Sequence, residues 1–177
     1  LDSVELHNPN DVPAPIGGDI RQFRFSDRER TAVGIPWGDL ETAYKTTGIP
    51  NITVYMAVPS AMARGMRLFG PAFAAAMKSD RLRTAALGWA DRHVHGPSEE
   101  LRRDGRSHVY ACARNPDGKT AEAWLTSCEG YVFTARGGVL AVERLLAENP
   151  EGALTPALAF GADFVLSIEG TRRLEKL

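Results

Sequence analysis

The chain has 177 residues, of which 44% are hydrophobic, so it is long enough to bury a core and short enough to form a single domain. Its 21 Lys and Arg nearly balance its 22 Asp and Glu, and the net charge is -1. This balance gives no electrostatic footprint for nucleic acid or for an anionic membrane surface, and no run of apolar residues is long enough to span a membrane. Basic residues cluster between positions 81 and 106, but acidic residues interleave with them, which predicts a solvated helical face.

The first part of the chain predicts an arm followed by a hairpin. Residues 1–19 are rich in Pro, Asn and Asp without a hydrophobic period, and we interpret them as an extended arm or a linker remnant. Residues 20–177 then form one domain. Alternating residues at 21–26 and 31–36, with a charged turn between them, predict two antiparallel strands.

A short helix and a strand are predicted next. Asp39 occupies the N-cap position, Gly48 follows the last turn, and Pro50 prevents continuation. Residues 51–57 alternate again and predict a strand.

A long helical region is predicted from Ser60, and Gly70 with Pro71 is expected to break it in the middle. Its apolar stripe consists of Met62, Met66, Leu68, Phe69, Phe73 and Met77. A second amphipathic helix is predicted over 80–92, and a charged helical turn over 97–103 ends at Gly105.

The strongest hairpin signal lies at 107–127. Two alternating segments flank the turn sequence Asn-Pro-Asp-Gly at 115–118. If Arg114 pairs with Lys119, Cys112 lies opposite Ala121 and Cys128 lies near Gly105. The two sulfurs are then too far apart for a disulfide, so we expect two free thiols, with Cys112 a buried strand residue. Two free cysteines favour a reducing compartment, and we expect the cytoplasm.

The C-terminal part predicts two more helices. Residues 131–147 form the first, with Val139, Val142, Leu145 and Leu146 facing inward. Thr155 caps the second, which runs to about residue 166, and 171–177 form a short strand or a frayed tail. Because hairpins join neighbouring strands, the fold class is α+β, with an antiparallel or mixed sheet, helices on one face and no Rossmann domain.

Catalytic and metal-binding motifs are absent from the sequence. It contains no GxGxxG, GxxxxGK[ST], GxSxG or HExxH pattern. His93 and His95 lie in a charged connection, with His108 downstream, and exposed loop histidines explain them better than a metal site. We therefore expect no metal.

Polar and aromatic residues near turns are the candidates for a substrate pocket: Trp37, Asp39, Tyr44, Thr47, Tyr55, Tyr131, Thr134 and Arg136. Each has a simpler interpretation, because Asp39 suits a helix cap and the tyrosines suit packing with satisfied hydroxyls. Arg136 either anchors a substrate carboxylate through its planar guanidinium or lies on the solvent face. The catalytic residues are not assigned.

Three blocks of the sequence, at 35–57, 129–147 and 152–170, resemble bacterial saccharopine dehydrogenase-like reductases, the group that includes trans-acting enoyl reductases. The blocks read IPWGDLETAYKTTGIPNITVYMA, EGYVFTARGGVLAVERLLA and GALTPALAFGADFVLSIEG and occur in the family's order. Members of that family combine an N-terminal Rossmann domain, which binds NAD(P), with a C-terminal α+β domain that covers the substrate and dimerises.

The resemblance covers only the C-terminal part of that plan. It implies a substrate-binding and dimerisation domain of an NAD(P)-dependent reductase, with a small-molecule substrate, a homodimer and no cofactor site in this chain. NAD(P) would be held by a Rossmann domain that precedes it. The chain begins at Leu1 rather than at Met, which agrees with a longer natural protein.

Two alternatives remain open. The chain could be a stand-alone, cofactor-free protein of the same fold that binds an apolar metabolite or catalyses a redox-neutral isomerisation or cyclisation. It could also be an oligomerisation module alone.

Overall fold

The computed structural model describes residues 18–35, 37–94 and 96–177. The chain divides into two compact units. The first comprises the described parts of Leu1–Phe23 and Arg30–His95, and the second comprises Arg24–Glu29 and Gly96–Leu177. The predicted arm lies almost wholly outside the described residues, as do Pro36 and His95. The prediction that 20–177 form one domain stays a prediction, because two compact units can belong to one domain.

The first sheet has three strands in the order β1-β2-β3. These are β1 (Ile20–Arg24), β2 (Glu29–Gly34) and β3 (Tyr55–Ala57). Ala32 pairs with Ala57 and Gly34 with Tyr55 in an antiparallel ladder. The predicted strand over 51–57 is therefore shorter in the structure. β2 ends at Gly34, which pairs with Tyr55, so the residues before Tyr55 have no β2 residue opposite them.

Three helices complete the first unit: α1 (Asp39–Thr47), α2 (Ser60–Met77) and α3 (Asp80–His93). The prediction of Asp39 as the N-cap is wrong, because Gly38 occupies that position without a side-chain cap. Asp39 begins the helix, where a carboxylate still favours the positive end of the helix dipole. Gly48 ends α1 with a φ of 68° and an N–H bond to the Tyr44 carbonyl, as predicted.

The predicted break in α2 is also wrong, since the helix continues through Gly70 and Pro71. A proline removes one backbone donor and leaves the other amides of the helix in place, so a continuous helix can accommodate it. The apolar stripe remains largely uncovered: Met62, Leu68, Phe69 and Phe73 are all more than half exposed.

The second unit is built around a long hairpin. Its strands are β4 (Arg106–Arg114) and β5 (Thr120–Cys128), and β6 (Arg172–Leu174) pairs antiparallel with β5. Four helical segments surround the hairpin in the sequence: α4 (Glu99–Asp104), α5 (Gly130–Glu148), α6 (Pro156–Phe160) and a 3₁₀ helix (Ala162–Ser167). The α+β class is therefore confirmed, with two three-stranded sheets in place of one.

The hairpin register differs from the prediction by one residue. Arg114 pairs with Thr120, and Cys112 therefore lies opposite Glu122. The Asn115 side chain accepts a hydrogen bond from the Lys119 amide, so Lys119 belongs to the loop rather than to the ladder. Both cysteines are free, as predicted, but Cys112 is exposed and Cys128 is the buried one.

The C-terminal elements agree with the sequence only in part. Thr155 caps α6 through its hydroxyl, as predicted, and β6 is the expected short strand. The helix expected to reach residue 166 ends at Phe160, because Gly161 has a φ of 87° and the chain continues as 3₁₀ helix.

The residues of α5 that were predicted to face inward are exposed. Val139 is 62% exposed and Leu146 is 83% exposed, while Val142 and Leu145 are also at the surface. The packed side of α5 instead includes Gly137, where an added Cβ would lie 3.0 Å from the buried Ile168 side chain. An apolar period shows that a helix has a face, but not which surface covers it.

Two neighbouring glycines test this orientation of α5. Gly138→Ala should raise the free energy of unfolding by roughly 0.5–1 kcal/mol, because alanine favours a helix and the added Cβ meets open space. Gly137→Ala should gain less or lose stability, because Ile168 must move. Chemical denaturation of both variants measures the difference, and equal stabilisation would contradict the orientation.

Candidate functional site

The candidates on α1 and in the turn before it lie at the surface of the first unit. Trp37 is 54% exposed and Tyr44 is 48% exposed. Asp39 and Thr47 are exposed as well, and the Thr47 hydroxyl donates to the Ala43 carbonyl at 2.8 Å. The turn and the helix thus present these side chains on open surface, and the structure gives them no shared polar contact.

Tyr55 belongs to a separate polar cluster in the first unit. Its hydroxyl donates to Asp19, which also accepts a hydrogen bond from Arg21 at 3.1 Å. The Arg21 guanidinium lies 5.5 Å from the centre of the Tyr55 ring, and Phe23 meets that ring edge-on. The cluster fixes the Tyr55 hydroxyl as a hydrogen-bond donor.

This cluster changes the titration of both acidic groups. Burial, and then the hydrogen bond to Asp19, raise the pKa of Tyr55 to about 12. The Tyr55 hydrogen bond is also the main cause that lowers the pKa of Asp19. Because the neutral phenol is favoured in the fold, Tyr55 contributes stability below pH 10.0, and that contribution is lost as the pH rises towards 12.

The Tyr55 cluster predicts a late tyrosine titration. The difference in tyrosinate absorbance between the wild-type chain and Tyr55→Phe should give a curve with a midpoint near pH 12. Asp19→Asn should lower that midpoint, because it removes the neighbouring negative charge, while burial keeps it above 10.0. An unchanged midpoint in Asp19→Asn would contradict the proposed contact.

The remaining candidates follow one another on α5 in the second unit. Tyr131 is 68% exposed, and the Thr134 hydroxyl donates to the Gly130 carbonyl at 2.9 Å. Glu129 caps the helix by accepting from the Tyr131 and Val132 amides. Arg136, one turn further along, is the candidate whose side chain reaches a neighbouring element, at Glu169.

Arg136 lines an open depression that we call the arginine cleft. Its volume is about 540 Å³, within the range of small-molecule sites. The helix α4, the start of β4, the end of β5 and the turn before β6 all contribute to it. Its lining consists of Glu99, Arg102, Arg103, Arg106, Cys128, Val132, Arg136, Glu169 and Gly170.

The arginines of the cleft differ in how they are neutralised. Arg103 pairs with Asp104 at 3.0 Å, and Arg136 pairs with Glu169 at 3.3 Å. In contrast, Arg102 donates to the Pro97 carbonyl, and Arg106 donates to two backbone carbonyls. Within the described part of the chain neither of these two forms an ion pair with a carboxylate. Four arginines against two lining carboxylates, Glu99 and Glu169, give the cleft a net positive charge.

A second depression adjoins the cleft, because Arg106 and Gly170 line both. We call it the His108 depression. His108 is a residue of β4, and its side chain is only 16% exposed. Its Nδ1 atom lies 2.7 Å from the Ser26 hydroxyl and 3.7 Å from Asp27. Both groups approach the same ring nitrogen, so this arrangement is not a Ser-His-Asp triad, which needs one partner on each nitrogen.

The interleaved charges at 81–106 concealed the arginines of the cleft. The helix α4 is followed at once by β4 through Gly105, and this connection places helix arginines beside the end of the hairpin. A short capped helix that leads directly into a strand was therefore the available signal. This connection could be read from the sequence. The sequence does not show that Arg103 pairs with Asp104, or that Arg102 and Arg106 have no carboxylate partners among the described residues.

The chain matches no family model, no curated protein and no solved structure in comparisons with known proteins. Among the residues that the structure describes, no three His, Cys, Asp or Glu side chains are grouped to hold a metal ion. Every helix within those residues is too short or too polar to cross a bilayer.

Proposed function

We propose that this chain is a substrate-binding and dimerisation domain, and that the arginine cleft binds a carboxylate group of a small-molecule substrate. The observation that carries the proposal is the position of Arg102 and Arg106, which form no ion pair among the described residues, beside Arg136. Two further guanidinium groups therefore lie beside Arg136, which supports its interpretation as an anchor for a substrate carboxylate.

The chemistry of the cleft suits a carboxylate. A guanidinium group offers parallel N–H donors that match the two oxygens of a carboxylate. One oxygen of the Glu169 carboxylate, which is 82% exposed, already lies 3.3 Å from a guanidinium nitrogen of Arg136. Because an exposed ion pair of this kind contributes little, a substrate carboxylate can replace Glu169 at small cost.

The wider function follows from the resemblance to saccharopine dehydrogenase-like reductases. In that proposal, a preceding Rossmann domain supplies NAD(P) and the hydride transfer, while this chain orients the substrate. The proposed location is the cytoplasm, where the thiols of Cys112 and Cys128 remain reduced.

Calorimetric titration with glutarate, a simple dicarboxylate, tests the cleft at low ionic strength. Arg136→Gln should weaken binding by about tenfold or more, because a charge-assisted hydrogen bond is lost. The matched control is Arg114→Gln, which removes the same charge from the far end of β4 and should leave binding within about twofold.

Two outcomes would contradict the cleft. Equal weakening by both variants would show that glutarate binding depends only on the net charge of the protein. Binding of an uncharged apolar ligand that does not depend on Arg136, together with no glutarate binding, would favour the stand-alone protein that binds an apolar metabolite.

For the dimer, we propose the exposed face of the β4–β5 hairpin as the contact with a second copy. Val109 lies opposite Leu125, Ala111 opposite Ala123 and Ala113 opposite Ala121, so six uncharged side chains share this face. Val109, Ala111, Ala113 and Ala121 are exposed. Small side chains in a flat row allow two copies of the same face to approach closely about a two-fold axis.

Sedimentation velocity tests this contact. Val109→Asp should shift the chain to a monomer, because it buries an unpaired charge in the proposed interface. Thr120→Asp adds the same charge to the opposite face of the hairpin and should leave the dimer intact. A dimer that resists Val109→Asp, or a wild-type chain that sediments as a monomer, would contradict the proposed interface.

A further inference from the structure

The His108 depression has a volume of about 480 Å³ and six lining residues. They are Arg106, His108, Thr126, Gly170, Thr171 and Arg172. The set contains two guanidinium groups, one imidazole and two hydroxyls, and none of its members is acidic. Such a lining offers hydrogen-bond donors and positive charge to a ligand.

The sheet register explains how three of these residues come together. His108 pairs with Thr126 across β4 and β5, and Thr126 pairs with Arg172 across β5 and β6. Directly paired residues point to the same face of a sheet, so the three side chains form one row across three strands. The row therefore rests on backbone pairing rather than on a flexible loop.

Arg172 brings an uncompensated charge to this row. Its neighbour Arg173 points to the other face and pairs with Asp163 at 2.6 Å. Arg172, in contrast, has no ion pair with any carboxylate of the described residues. Arg106 also lines the depression, and one of its guanidinium nitrogens donates to the backbone carbonyls of Asp104 and Gly105.

A chain of hydroxyls fixes the His108 ring. The Ser26 hydroxyl lies 2.7 Å from Nδ1 of His108 and 2.9 Å from the Thr126 hydroxyl. When Thr126 donates to Ser26 and Ser26 donates to Nδ1, the proton of the neutral ring lies on Nε2. In that tautomer Nε2, which has no hydrogen-bond partner in the described part of the chain, can donate to a ligand.

Thr171 supplies the last polar group. Its hydroxyl is the buried side-chain oxygen that lacks a hydrogen-bond partner among the described residues. Buried hydroxyls nearly always have partners, so this exception needs an explanation. Rotation of the side chain about χ1 towards the depression would break no hydrogen bond and would give a ligand one more donor.

From these contacts we propose that the His108 depression binds a phosphate group, with Arg172, His108 and Thr171 as its donors. A tetrahedral oxyanion presents oxygens in several directions, which suits donors from β4, from β6 and from the turn after Gly170. A planar carboxylate uses one guanidinium fork, as proposed for the arginine cleft. This site goes beyond the proposed function, because its three donors do not line the arginine cleft and because it recognises another group.

Calorimetric titration with inorganic phosphate at low ionic strength tests the site. The wild-type chain should bind saturably. Arg172→Gln should weaken binding about tenfold or more, and Thr171→Val, which removes a hydroxyl at nearly constant shape, should weaken it several-fold. Arg114→Gln and Arg136→Gln should each leave phosphate binding within about twofold.

The source of the phosphate is distinguished by a second titrant. Glycerol phosphate that binds more tightly than inorganic phosphate indicates a phosphate group carried by a larger ligand. Equal affinity indicates free phosphate. Both results support the site, provided that the Arg172→Gln and Thr171→Val effects are present.

Absence of saturable phosphate binding by the folded wild-type chain would overturn the proposal, and so would equal weakening by Arg172→Gln and Arg114→Gln. Thermal denaturation of each variant shows whether it is folded. The two sites fail separately: glutarate binding should depend on Arg136 and not on Arg172, and phosphate binding should show the reverse. If glutarate binding does not depend on Arg136, only the arginine cleft is contradicted. If phosphate binding does not depend on Arg172, only the His108 depression is contradicted.

Discussion

The nine-residue ladder between β4 and β5 is the constraint on which the charged groups of the second unit depend. It places His108 beside Thr126, and the pairing of β5 with β6 adds Arg172 to the same row. The ladder also begins directly after α4, so Arg102 and Arg106 reach one end of it. Backbone pairing of this kind holds side chains in register without a cost at the moment a ligand binds, which is the basis of preorganisation.

The two depressions owe their charge to which arginines find a carboxylate. Arg103, Arg136 and Arg173 are each paired with an acidic side chain, whereas Arg102, Arg106 and Arg172 are not paired among the described residues. A chain whose formal charges almost cancel thus concentrates positive charge in one place. Concentrated charge of one sign in a concave surface raises the local concentration of anionic ligands, independently of the net charge of the protein.

Local signals predicted the turn and two helix ends correctly, and the misses have both local and long-range causes. The Asn-Pro-Asp-Gly turn, the Gly48 end of α1 and the Thr155 cap depend on neighbouring residues and were predicted correctly. The hairpin register was wrong by one residue, because the Asn115 side chain draws Lys119 into the loop. The inward faces of α2 and α5 were not predictable, because periodicity reveals an apolar stripe but not its partner. Of the candidate site residues, Arg136 lines the arginine cleft, while Tyr55 is bound to Asp19.

In the proposed function, guanidinium groups of the arginine cleft contact a carboxylate directly. Nuclear magnetic resonance of the arginine side-chain N–H groups, recorded while glutarate is added, observes that contact at each residue. We expect saturable shifts for Arg102, Arg106 and Arg136, with Arg114 unchanged. Shifts spread evenly over surface arginines, or none at the cleft, would contradict it.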